Sequence, residues 1–120
     1  MARDFELLDI PKPMVTVAMP VFNGGRHLLL AVKSIVSQSY KNWELLVIDD
    51  GSTDSALLEI ENLTVDDRVS IISDGQNKGI SSRLNQAVAM AKGEFFARMD
   101  HDDIAHPHRL LLQLKFLEKN

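Results

Sequence analysis

No cysteine occurs among the 120 residues, so disulfides, thiolate metal sites and thiol nucleophiles are excluded, and the redox compartment is left open. The longest apolar runs fall far short of the ~20 residues that a membrane span needs. No signal peptide is read at the start, because residues 1–13 mix polar and apolar side chains and form a loose lead-in. Lys and Arg never gather into a block, nor alternate with aromatics, and 13 basic residues face 17 acidic ones for a net charge of −4. A nucleic-acid surface is therefore not indicated. A chain of this charge needs a bridging cation to hold a polyphosphate. The GxxxxGK[ST] loop that cradles phosphates without such help is missing, as are internal repeats and low-complexity segments.

What is present suffices for one packed core. At 45% hydrophobic content, residues 14–120 are expected to fold as one domain, soluble and cytoplasmic, and peripheral to a membrane in a longer context. Four β-favouring runs stand out: Met14 to Met19, which Pro20 is expected to end, Leu45 to Ile48, Val69 to Ile72, and Glu94 to Met99. Between them the period changes to that of a helix. Leu28, Leu29, Val32, Ile35 and Val36 form one apolar stripe, and Ile80, Leu84, Ala87, Val88 and Ala91 another. Ser55 to Asn62 reads as a weaker helix with Ser52, Thr53 or Asp54 as its N-cap. Pro107 fits the first turn of a last helix with an apolar face of Leu110, Leu111, Leu114 and Leu117.

Strand and helix thus alternate, which predicts an α/β fold: a mainly parallel sheet of four strands with helices on both faces and right-handed crossovers. Ligands of such sheets bind beyond the carboxyl ends of the strands. The residues that follow the four strands are Pro20-Val21-Phe22-Asn23, Asp49-Asp50-Gly51-Ser52, Ser73-Asp74-Gly75 and Asp100-His101-Asp102-Asp103. All are expected at one edge.

The last of these segments carries the most chemistry. Three carboxylates within four residues repel one another, and a helix N-cap before Pro107 would occupy one of them at most. Oxygen-only ligands select a hard divalent ion, Mg²⁺ or Mn²⁺, which takes its remaining ligands from water and substrate phosphates. His101, His106 and His108 lack the paired spacing of a zinc site. Arg98 is placed to pair with a carboxylate or a phosphate. A turn and a helix start account for Gly51 and for one of Ser52, Thr53 or Asp54, but not for the adjacent carboxylates Asp49 and Asp50, which suit a base or a ribose. Phe22 could stack on a base, with Gly24 and Gly25 letting the backbone approach it.

Taken together, Val15 to Asn23, Trp43 to Asp54, Asn77-Lys78-Gly79 and Gly93 to Asp103 resemble, in order and spacing, the N-terminal half of family 2 glycosyltransferases. The four motifs cover residues 15–119, nearly the whole chain. The resemblance implies a GT-A fold, a Rossmann-like nucleotide-binding half, and inverting transfer of a sugar from a nucleotide diphosphate sugar, with a UDP-sugar favoured. It also implies Mn²⁺ or Mg²⁺ held at a DxD motif. By position, Pro20, Phe22 and Asn23 would line the base pocket, Asp50 with Asp49 would hydrogen-bond the base, Asp100 would lie near the ribose, and Asp102, with Asp100, would ligate the metal. Where the family often carries an Arg-Asn pair, this chain has Leu84-Asn85 with Arg83 one place earlier.

The family's acceptor half and general base are expected beyond Asn120, so no catalytic residue is assigned and the chain alone is expected to turn over little or no substrate. Apolar surface left uncovered could support a homodimer. The acceptor is not specified. A phospho-acceptor receiver fails on arrangement, because its acidic pair follows the first strand and it needs a Lys after the last. A non-catalytic interaction domain of the same fold is the alternative.

Overall fold

The computed structural model describes residues 13–119, with the side chains of residues 63, 64, 118 and 119 left out. The expected lead-in therefore lies, Pro13 apart, outside the described residues. Four strands, β1 (Val15–Val21), β2 (Trp43–Asp49), β3 (Val69–Ser73) and β4 (Phe95–Arg98), form one sheet in the order β3-β2-β1-β4. Every pairing is parallel. The helices are α1 (Gly25–Val36), α2 (Ala56–Ile60), α3 (Ile80–Met90) and α4 (Arg109–Lys119).

All seven residues of β1 are buried, which is why the strand reads as a continuous apolar run rather than an alternating one. Its odd-numbered side chains, Val15, Val17, Met19 and Val21, pack with Leu28, Val32 and Ile35 of α1, with Ile60 of α2 and with Leu110 and Leu114 of α4. Its other face is thinner. Ala18 meets Leu46, Ile48 and Ala87, so α3 covers that side of the sheet.

Four expectations need correction. Pro20 does not end the first strand but lies within β1, opposite Ile48. The reason is local: the β4 pairing stops at Ala18 with Arg98, and Met99 donates its N–H to the Ala18 carbonyl. By alternation, the position where Pro20 lacks an N–H faces the side that β4 has already left, where a proline is tolerated. The apolar stripe expected on α3 is also rotated. Arg83 and Ala87 are the buried residues of that helix, while Ile80 and Val88 are more than half exposed. Finally, Pro107 stands two residues ahead of α4 rather than in its first turn, and the helix expected over residues 55–62 is α2 followed by a 3₁₀ turn, Glu61–Val65.

Candidate functional site

β1 has β2 and β3 on one side and β4 on the other, so the strand order reverses between β1 and β4. Beyond Ala18 and Arg98 the two strands separate, and a crevice outside their carboxyl ends is the place where sheets of this type take ligands. The loops after all four strands reach this edge.

The β1–α1 loop is shaped by Asn23. Its backbone is left-handed, with φ of 51°, and its side-chain Oδ1 accepts N–H bonds from Thr53 at 2.8 Å and Asp54 at 3.2 Å. In return the Asn23 N–H donates to Ser52 Oγ at 2.9 Å, and that of Gly25 donates to Asp54 Oδ2 at 2.9 Å. These bonds lock the loop after β1 to the loop after β2. Phe22, next to Asn23, is 47% exposed and free of the core, a shape suited to stacking on a planar ring.

After β2 the two carboxylates are buried and hydrogen-bonded to the protein. Asp49 accepts the Ser52 N–H and the Ser73 hydroxyl, each at 3.2 Å. Asp50 accepts the Lys78 N–H at 2.7 Å, the Gly79 N–H at 3.1 Å and Arg83 Nε at 2.9 Å. These donors, with the hydrogen bond from the Lys78 amide foremost, hold the Asp50 carboxyl below the usual carboxylate range. Gly51 has φ of +83°, and a β-carbon there would lie 3.0 Å from the Gln76 carbonyl, so the loop over residues 74–79 closes directly onto it.

Arg83 ties this loop down. Besides Asp50 it donates to Asp74, 2.8 Å from Nη2 to Oδ1, to the Gln76 carbonyl and to Gln86 Oε1. The Asp74 carboxyl is held well below its ordinary value, chiefly by Arg83, and Lys78 Nζ adds a second ion pair at 3.0 Å. Sequence reasoning did not place Arg83 in the site. A cation between apolar positions on the covered face of a helix was the available signal.

Following β4, Asp100, Asp102 and Asp103 each offer a carboxylate oxygen, and these lie within 4.8 Å of one another. All three residues are exposed. Arg98 Nη2 reaches Asp100 Oδ1 at 3.2 Å, so the expected partner of Arg98 is a carboxylate of this group. Three carboxylate oxygens gathered this closely, exposed and with room for water, make an all-oxygen donor set of the kind that suits Mg²⁺ or Mn²⁺. The residues present fit the ion. His101 leans back against Gly24, where a β-carbon would stand 3.3 Å from its ring, and this contact joins the acidic loop to the loop after β1.

The acidic loop is also anchored from below. Ala105 donates to Ser34 Oγ at 2.9 Å, Ser39 donates its N–H to the Pro107 carbonyl at 2.9 Å, and buried Gln38 donates to the His106 carbonyl at 2.6 Å. Of the seven residues expected at the site, all lie at this one edge. Pro20, Phe22 and Asn23 arrive from β1, Asp49 and Asp50 from β2, and Asp100 and Asp102 from β4. An apolar groove of about 500 Å³ lies elsewhere, between β4 and α4, lined by Phe96, Leu112, Phe116 and Leu117 among others, with no carboxylate.

The sheet order and the gathering of every strand-end loop at the reversal point define a Rossmann-like α/β domain of the GT-A type. The chain belongs to glycosyl transferase family 2, whose family model matches residues 16–120. EpsE of Bacillus subtilis, named as a glycosyltransferase, is 42% identical over 110 residues, which is 90% of this chain and 40% of that protein. An uncharacterized glycosyltransferase of Haemophilus influenzae is 39% identical, over 90% of this chain and 34% of its own length. The chain thus spans less than half the length of these relatives. Among solved structures, TarS 1-349 of S. aureus in complex with UDP-GlcNAc superimposes with a TM-score of 0.81 at 25% identity, over 88% of this chain and 31% of that one. The mannosyltransferase PcManGT of Pyrobaculum calidifontis, in complex with GDP-Man and Mn²⁺, gives a TM-score of 0.72 at 26% identity, over 92% and 36%. Among the described residues, no helix is long and apolar enough to cross a membrane.

Proposed function

We propose that this chain is the donor-binding half of an inverting glycosyltransferase that takes a nucleotide diphosphate sugar with Mn²⁺ or Mg²⁺. The observation that carries the proposal is the convergence of three carboxylates at the point where β4 leaves β1, within one edge of the loops that hold Phe22 and Asp50. Asp102, with Asp100, holds the ion, and Asp100 also lies toward the ribose. Pro20, Phe22 and Asn23 form the wall of the base pocket, and Asp50, backed by Asp49, accepts a hydrogen bond from the base. When bound, the ion neutralises charge on the departing diphosphate. The chain's own residues orient the donor and hold its base.

An inverting displacement also needs a carboxylate to deprotonate the acceptor hydroxyl. No described residue is assigned that task, and we expect the 120-residue chain to bind donor with little or no sugar transfer. Support for a nucleotide sugar comes from the TarS and PcManGT complexes, each with a nucleotide sugar on a closely similar fold.

Calorimetric titration with UDP-, dTDP- and GDP-sugars, with and without Mn²⁺, tests the proposal. We expect metal-dependent binding that Asp102→Ala weakens by roughly tenfold to a hundredfold, the range typical when a group that supports a metal site is removed. An intact fold with no affinity for any nucleotide sugar would favour an interaction domain that keeps the fold without the chemistry. Robust transfer by the chain alone would refute its assignment as a donor-binding half.

A further inference from the structure

Arg83 is the only buried cation among the described residues, with 1% of its side chain exposed. Removing a charge from water is costly, and an apolar pair of similar volume would serve stability equally well. Its position beside the base loop gives it a second use. Asp50 Oδ1 accepts three donors, the N–H groups of Lys78 and Gly79 and the Nε–H of Arg83, at 2.7, 3.2 and 2.9 Å. Asp50 Oδ2 accepts only the Gly79 N–H, at 3.1 Å. A carboxylate oxygen has about two acceptor positions, so Oδ1 is saturated and Oδ2 retains one.

The geometry points to Arg83 as a positioning residue for the donor base: it fixes Asp50 with a single acceptor position, which suits a base that offers one ring N–H between two carbonyls, uracil or thymine. This inference rests on the assignment of Asp50 as the base contact. Guanine presents a ring N–H and an adjacent amino group, a pair of donors that calls for both carboxylate oxygens. With Oδ1 filled, one donor of guanine would be desolvated without a partner. Cytosine and adenine can offer Oδ2 an amino N–H, but only by setting the adjacent ring nitrogen's lone pair against the carboxylate, so they are disfavoured as well. The two neighbouring complexes hold different bases, UDP-GlcNAc in one and GDP-Man in the other, so the family likeness does not itself choose between them. The Asp50 hydrogen-bond count does.

Competition binding in the presence of Mn²⁺ tests this on the whole chain. UDP and dTDP are expected to bind at least about tenfold more tightly than GDP and CDP, and N3-methyl-UDP, which lacks the ring N–H, should lose a similar factor against UDP. Arg83→Met should compress the UDP to GDP ratio and lower the affinity for UDP by a larger factor than that for inorganic pyrophosphate, which has no base. Arg83→Lys, which restores charge without the planar fork, should recover part of the ratio. GDP binding as tightly as UDP overturns the inference, as does an Arg83→Met chain with an unchanged ratio. If Arg83→Met does not fold, the comparison of UDP, N3-methyl-UDP and GDP on the unaltered chain decides alone. Loss of all nucleotide and pyrophosphate binding would instead overturn the donor-binding proposal, whereas a preference for GDP leaves that proposal standing.

Discussion

At Gly93 a β-carbon would stand 2.5 Å from the Thr16 amide nitrogen and 2.8 Å from the Val15 carbonyl carbon, both backbone atoms of β1. Neither can move without shifting the central strand. The Gly93 N–H donates to Thr16 Oγ1 at 2.9 Å, and that hydroxyl donates to Glu44 Oε2 at 2.6 Å, so the turn into β4 is clipped to both β1 and β2. Since β4 delivers Asp100 and its neighbours, this contact sets the height of the acidic loop on the sheet edge. Gly93→Ala is therefore expected to destabilise the fold by about 1–3 kcal/mol, the usual cost of overpacking a site that cannot relax. Urea unfolding checks the value. A stability within error of the unaltered chain would mean that the turn relaxes after all.

At the scale of elements, the strands and α1 were legible because their physics is periodic. Leu28, Val32 and Ile35 fall on one face of a helix whatever surrounds them, and a strand buried on both sides is apolar at nearly every position, Thr16 being the exception in β1. The acidic run was legible for the opposite reason, since three carboxylates within four residues have no use in a core. The face of α3 was not legible, because it depends on a partner 33 residues away: the ion pair of Arg83 with Asp50 turns the helix, and Ile80 and Val88 move outward. Nor was the tether at the end of α1. Gln38 is fully buried, accepts the Leu110 N–H at 3.0 Å on Oε1, and donates to the carbonyls of Ser34 and His106 from Nε2. It thereby satisfies an N–H in the first turn of α4 and fastens the segment that follows the acidic loop. Gln38→Ala strands these groups, and we expect a loss of about 1–3 kcal/mol in stability together with a several-fold weaker affinity for Mn²⁺. An unchanged Mn²⁺ titration alongside the lower stability would restrict Gln38 to a structural role.

For the molecule as a whole, acid is the condition that tests how the site and the fold are joined. Asp50 and Asp74 are both held below their ordinary range, Asp50 foremost by the Lys78 amide with Arg83 contributing, and Asp74 foremost by Arg83. Asp66 is lowered as well, through its 2.7 Å ion pair with Arg68. A carboxyl whose value is depressed by folding stabilises the native state above its unfolded value, and loses that contribution as pH falls through its folded value. Stability should thus be level through the neutral range and decline below about pH 4, where unfolded carboxylates begin to take up protons. Arg83→Met removes the cation that two of the three carboxyls share, and Asp50 then remains buried without a charge partner. Its folded value rises, so acid unfolding should begin at higher pH than in the unaltered chain. Arg68→Met should move the transition less, because its ion pair with Asp66 is partly exposed and water screens what it gains. Circular dichroism followed from pH 7 to pH 2 separates the two variants, the scan range being about that of carboxylate titration. Equal shifts would mean that the buried cluster at the sheet edge carries no more of the native state's charge balance than a surface ion pair does, and that the loop over residues 74–79 is held by packing alone.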